Sequence, residues 1–169
     1  MNAVEIIFTD ASEIEVMHTK NERTKILFLC TGNSCRSQMA EGWTRHLKHD
    51  VIEAYSAGVR PTRLDPRAVS VMAEAGIDIA DHRAKDVREL VHMEFDYVIT
   101  LCGHAHEACP VFPGRAKIVH RGFDDPPTMA AGAQSDDEAM QHYRRVRDEI
   151  RKFVEQLPGV LQSSEFGMN

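Results

Sequence analysis

The sequence has no apolar run that approaches the roughly 20 residues of a membrane-spanning helix. It has no internal repeat and no low-complexity tract. It also lacks a basic surplus: 20 Lys and Arg stand against 26 Asp and Glu, a net charge of −6. That balance argues against a general nucleic-acid binder, while leaving room for a local basic pocket that takes a small anion. The first 20 residues have no basic start and no long apolar stretch, so they do not read as a signal peptide, and a cytoplasmic location is expected. Cysteines are few, four in 169 residues. In a reducing compartment, four thiols are expected to be reactive or metal-binding rather than paired in structural disulfides.

What is present is the composition of one globular domain. Hydrophobic residues make up 43% and charged residues 27%, and the length fits one core at roughly 150 residues per domain. Residues 1–23 read as an N-terminal extension of unknown role, with short apolar runs at 4–8 and 14–17 that fit two strands. Residues 24–158 carry the domain, and 159–169 read as a frayed tail. Apolar runs at 25–30, 51–56, 96–101 and 116–119 predict four strands. A helix is expected over 37–49, with Met39, Ala40, Trp43 and Leu47 on one face. Another is expected after Asp65 as N-cap and Pro66 as first helical residue, with Gly76 as its stop. The last, over 137–157, has Tyr143, Val146, Ile150, Phe153 and Leu157 in one stripe. Strands alternating with helices predict an α/β fold, a four-stranded parallel sheet with helices on both faces. Ligands of such folds sit beyond the carboxyl ends of the strands, where Cys30 and Cys102 both fall.

The strongest signal is Cys30-Thr31-Gly32-Asn33-Ser34-Cys35-Arg36-Ser37, between a strand and a helix. A tetrahedral oxyanion needs convergent donors, and a tight loop entering a helix aims backbone N–H groups at one point. Gly32 and Asn33 tolerate left-handed backbone. Arg36 offers a bidentate fork. A Cys30 thiolate is favoured beside such donors, and Ser37 is placed to donate to it. An isolated Cys-(x)5-Arg is a weak match. Here the strand, the small-residue loop, the Arg-Ser ending and the helix agree.

These residues carry a resemblance. Residues 25–43, KILFLCTGNSCRSQMAEGW, resemble the signature of thioredoxin-coupled arsenate reductases, which share the low-molecular-weight protein tyrosine phosphatase fold. The likeness continues through Tyr55-Ser-Ala-Gly58, Val98-Ile-Thr-Leu-Cys102, Cys109-Pro110, Gly122-Phe-Asp-Asp-Pro126 and Arg145-Val-Arg-Asp-Glu-Ile150. It implies arsenate as substrate, thioredoxin as reductant, and no tightly bound cofactor. It also implies Asp125, the Asp before Pro, as the acid that protonates the departing oxygen, with Asp124 the competitor. Some relatives bind potassium through an Asn, a Glu, a Ser and an Asp. Asn33, Glu41 and Ser56 match the first three, and Lys85 stands near the place of the fourth. Arg121 stands where relatives carry Trp, near the expected site entrance. Cys35, inside the loop, is expected to be structural or oxidisable.

The pair Cys102 and Cys109 separates reductase from phosphatase. Taking As(V) to As(III) requires two electrons, which a dithiol supplies by becoming a disulfide. If residues 102–109 are helical, the two Cα atoms lie about 10 Å apart at ~1.5 Å per residue. A disulfide needs less than roughly 7 Å, so the segment must unwind. Other readings remain open: a zinc site from Cys102, His104, His106 and Cys109, a phosphatase acting on tyrosine or small phosphate esters, and a thiol-based redox or metalloid sensor.

Overall fold

The structure, a computed structural model, describes residues 22–163. The apolar runs at 4–8 and 14–17 lie outside the described residues. The order of elements is β1 (Thr24–Cys30), α1 (Arg36–Leu47), β2 (Ile52–Gly58), α2 (Pro66–Glu74), β3 (Tyr97–Thr100), α3 (Gly103–Glu107), β4 (Lys117–His120), α4 (Pro126–Ala130) and α5 (Asp136–Glu155). The four strands form one sheet in the order β2-β1-β3-β4, and every pairing is parallel.

Strand β1 shows why the sheet is central. Its side chains alternate between faces, as a period of two requires. Ile26, Phe28 and Cys30 join the core that also holds Met39, Trp43, Tyr143, Val146, Ile150 and Phe153 from α1 and α5. Leu27 and Leu29 join the opposite core with Val87, Val98, Ala105 and Phe112, partly covered by α3. Helices therefore cover both faces. Each fully buried aliphatic or aromatic side chain contributes about 1.5–3 kcal/mol, so the α5 stripe alone anchors one layer firmly.

Local chemistry sets the boundaries. The Asp65 side chain accepts from Arg67 N–H to cap α2, Pro66 takes its first position, and Gly76 follows it at φ +80°. Ser135 caps α5 by accepting from Glu138 N–H. Two findings depart from the sequence reading. Helix α1 is buried through Ser37–Thr44, polar residues included, because its polar side serves the loop before it. Residues 159–162 are not frayed: they form a 310 turn that buries Leu161. Among the described residues, Trp43 Nε1 is the buried side-chain polar atom without a hydrogen-bond partner, and Arg151 stacks over that ring at 5.1 Å. No helix among the described residues is long and apolar enough to cross a membrane.

Candidate active site

The end of β1 and the start of α1 deliver the loop. Its carbonyls are engaged from outside: Val59, Arg60, Thr62 and Asp65 N–H groups donate to the oxygens of Cys30, Thr31, Gly32 and Ser34 at 2.8–3.1 Å. The amide edges then face the other way. Among the described residues, the N–H groups of Ser34, Cys35 and Arg36 have no acceptor, as an anion cradle requires. Asn33 takes the left-handed turn at φ 47°. Gly58 lets the loop pass close, since a Cβ there would lie 2.7 Å from the Thr31 oxygen and 2.8 Å from Asn33 N.

The donors on Cys30 are oriented. Asn33 N–H donates to Cys30 Sγ at 3.2 Å, and Ser37 Oγ lies 2.8 Å from it. Asn33 Oδ1 accepts from Lys85 N–H at 2.8 Å and Gln38 Nε2 at 3.0 Å, so its other atom is the amide nitrogen. That nitrogen donates to Ser37 Oγ and Ser56 Oγ, each at 2.9 Å. Ser56 in turn donates to Glu41 Oε2. Accepting from Asn33, Ser37 Oγ keeps its own proton free for Cys30. A buried line of hydrogen bonds thus runs from the Glu41 carboxylate to the Cys30 sulfur.

Arg36 is held across the mouth. It donates to the Phe123 carbonyl at 3.0 Å and pairs with Asp125 at 3.0 Å. Thr128 Oγ1 donates to the other Asp125 oxygen at 2.5 Å. Asp124 instead pairs with Arg145 at 2.9 Å, on the outer side. Of the two candidate acids, then, Asp125 is the one set against Arg36. Arg121 stacks on Phe123 at 4.9 Å, beside the carbonyl that steadies Arg36. Cys35 is buried, and burial, with the negative charges of Asp65 and Cys30, pushes its thiol well above the ordinary range. It is neutral there, in keeping with a structural role.

The four cysteines are free thiols. Cys102 and Thr31 share a hydrogen bond of 3.2 Å between Sγ and Oγ1, which brings the second thiol to the residue beside Cys30. Cys102 also caps α3 by accepting from Ala105 N–H at 3.4 Å. Cys109 lies past the other end of α3, half-buried, and burial raises its thiol above the usual value. The helix between them has five residues with only Ala105 buried. It is far shorter than a helix that holds by itself. The zinc reading finds no support among the described residues, where no group of three or more His, Cys, Asp or Glu gathers to hold a metal. His106 turns to Thr100, which it shares with His120.

The potassium reading meets a donor set that does not fit. Asn33 Oδ1 already accepts two hydrogen bonds. Glu41 is ion-paired to Arg45 through Oε1, and Lys85 Nζ lies 3.7 Å from Oε2. An ammonium faces the carboxylate that an alkali ion would need. Burial pulls the Lys85 ammonium below its ordinary range, and Glu41 pushes it back up.

Sequence reasoning singled out Asn33, Ser37, Glu41 and Ser56 but missed Gln38 and His82. Gln38 Nε2 contacts Asn33 O and Arg83 O, and its oxygen lies 2.9 Å from His82 Nδ1. Because that oxygen only accepts, His82 carries its proton on Nδ1. The one signal was a Gln next to Ser37 on a helix whose neighbours are apolar, which periodicity alone treats as a solvated face.

Comparison with known proteins shows the family and the fold. Residues 25–165 match the low molecular weight phosphotyrosine protein phosphatase family. An arsenate reductase of Halalkalibacterium halodurans is 46% identical over 129 residues, covering 76% of this chain and 91% of its own. One from Bacillus subtilis is 45% identical with the same coverage. A solved arsenate reductase in the phosphate-binding state superposes with a TM-score of 0.64 at 30% identity, over 82% of this chain and 99% of the other. A low molecular weight protein tyrosine phosphatase from T. tengcongensis gives 0.63 at 29% identity, over 81% of this chain and 99% of the other. By this family match and these identities, the chain belongs to the low molecular weight phosphotyrosine protein phosphatase family and is similar to its arsenate reductase members over most of its length.

Proposed function

We infer that this enzyme is an arsenate reductase that works by a relay of three thiols. Arsenate binds in the loop on the free amides and Arg36. The Cys30 thiolate attacks arsenic, and Asp125 protonates the departing oxygen, which leaves as water. Cys102 then attacks Cys30. A sulfur–sulfur bond forms, the sulfur–arsenic bond breaks, and its electron pair stays on arsenic, which leaves as arsenite. Cys109 attacks Cys102, frees the Cys30 thiolate and closes a Cys102–Cys109 disulfide. Two electrons have passed from the dithiol to arsenic. Thioredoxin's dithiol then reduces the disulfide.

The observation that carries this reading is the Thr31–Cys102 hydrogen bond, which supports a second thiol at the oxyanion loop. Hydrolysis of a phosphate ester would require only Cys30, Arg36 and Asp125. The α3 helix supports the last step as a conformational one. Its five helical residues alone rise about 7.5 Å at ~1.5 Å each, more than the roughly 7 Å a disulfide spans, so closure unwinds it.

The test is arsenate-dependent NADPH oxidation with thioredoxin and thioredoxin reductase, with phosphate as control. Wild type should turn over continuously and Cys30→Ser not at all. Cys109→Ser should give at most one turnover. Sustained turnover by Cys109→Ser would overturn the relay.

A further inference from the structure

The line of hydrogen bonds behind Cys30 ends on a buried charge, and something must balance it. Glu41 is 3% exposed, and a carboxylate so placed persists only with compensating charge. Arg45 reaches it from the surface with a side chain 53% exposed. Lys85 is of another kind. Its side chain is only 18% exposed, and its Nζ sits between Glu41 Oε2 at 3.7 Å and the Arg83 carbonyl at 3.1 Å.

Lys85 also grips the loop through its backbone. Its N–H donates to Asn33 Oδ1 at 2.8 Å, and its carbonyl accepts from Gly58 N–H at 2.8 Å. One residue therefore fixes the Asn33 amide, the end of β2 and the charge on Glu41. Each of these bears on how Ser37 and the Asn33 N–H meet Cys30.

We propose that the Lys85 ammonium is the resident cation of the oxyanion loop, standing where the potassium of related enzymes is expected. Oxyanion binding in this protein then needs no alkali metal. Lys85 is a positioning residue, since it touches neither the oxyanion nor Cys30. It acts by holding the Glu41 carboxylate turned to Ser56, so that the Asn33 amide keeps its orientation.

The test measures inorganic phosphate binding by calorimetry in potassium chloride and in tetramethylammonium chloride at equal ionic strength. Thermal unfolding is followed in the same two salts. Neither readout depends on thioredoxin or on turnover, so failure here is distinct from failure of the relay. Wild type should bind phosphate equally in both salts. Lys85→Arg should stay near wild type. Lys85→Asp restores an oxygen ligand and removes the fixed charge. It should bind phosphate about tenfold more weakly without potassium, the scale of a lost charge-assisted contact, and potassium should restore affinity and raise its melting temperature. A wild type that binds phosphate more tightly in potassium overturns the proposal. So does Lys85→Asp behaving as wild type in both salts, or losing affinity that potassium does not restore. If Lys85→Asp does not fold, a potassium response in Lys85→Ala decides, its absence counting against the proposal.

Discussion

Replacing Gly58 by Ala tests how the loop is held. An added Cβ would lie 2.7 Å from the Thr31 oxygen, 2.8 Å from Asn33 N and 2.9 Å from the Gly32 carbonyl carbon. All three are backbone atoms of the oxyanion loop, so no side chain can turn aside. Ordinary contact begins near 3.4 Å, so the loop must retreat by about 0.7 Å. Overpacking of this kind costs about 1–3 kcal/mol. The stiffer unfolded chain returns about 0.4–1 kcal/mol of that. The net loss of up to about 2.5 kcal/mol lowers the melting temperature by roughly 2–4 °C per kcal/mol for a domain of this size. Activity should fall further than stability. A displacement near 1 Å in a reacting group costs about a hundredfold, so kcat/KM for arsenate should drop about 30- to 100-fold in a protein that still unfolds cooperatively. The assay pairs thermal unfolding with steady-state arsenate reduction. Wild-type kcat/KM in a folded Gly58→Ala would refute the account of the loop as fixed by that contact.

Three further outcomes follow from the same geometry. Ser37→Ala removes the hydroxyl 2.8 Å from Cys30. A hydrogen bond to a charged group is worth about 1.5–3 kcal/mol, and the freed thiolate regains about half of that as nucleophilicity, so the rate of Cys30 alkylation at neutral pH should fall by up to about 20-fold, and an unchanged rate would sink the oriented line of donors. Gly103→Ala meets nothing within 4 Å and favours α3 by up to about 1 kcal/mol. Single-turnover formation of the Cys102–Cys109 disulfide should slow by up to about fivefold, whereas a faster step would show that α3 need not unwind. Burial raises the Cys109 thiol, so at neutral pH it is protonated, and only the thiolate attacks. Disulfide closure should therefore accelerate as pH rises through the alkaline range, and a rate flat with pH would place the limiting step elsewhere.

Much of the fold was legible because its signals are local. The apolar run of β1 marks a strand buried on both faces. The Asp65-Pro66 start and Gly76 stop of α2 use backbone rules that hold within a few residues. The loop 30–37 was legible for the same reason: the spacing of Cys30, Gly32, Asn33 and Arg36 matches one anion geometry. Helix α4, by contrast, is a short helix of five residues that starts at Pro126, with no period long enough to read.

The sequence by itself determined which chemistry is available: four thiols, one anion loop, an arginine and an acid before proline. Only the tertiary structure decided how these groups divide the work. It set Asp125 against Arg36 and sent Asp124 to Arg145, although the two are neighbours in the chain. It brought Ser56, His82 and Lys85 behind the loop, from segments far apart in sequence, to meet Asn33 and Gln38. The physical reason is that hydrogen bonds and charges act over a few ångströms in space. Sequence spacing reports such distances only within one helix, strand or turn, whereas the sheet order β2-β1-β3-β4 sets them between elements.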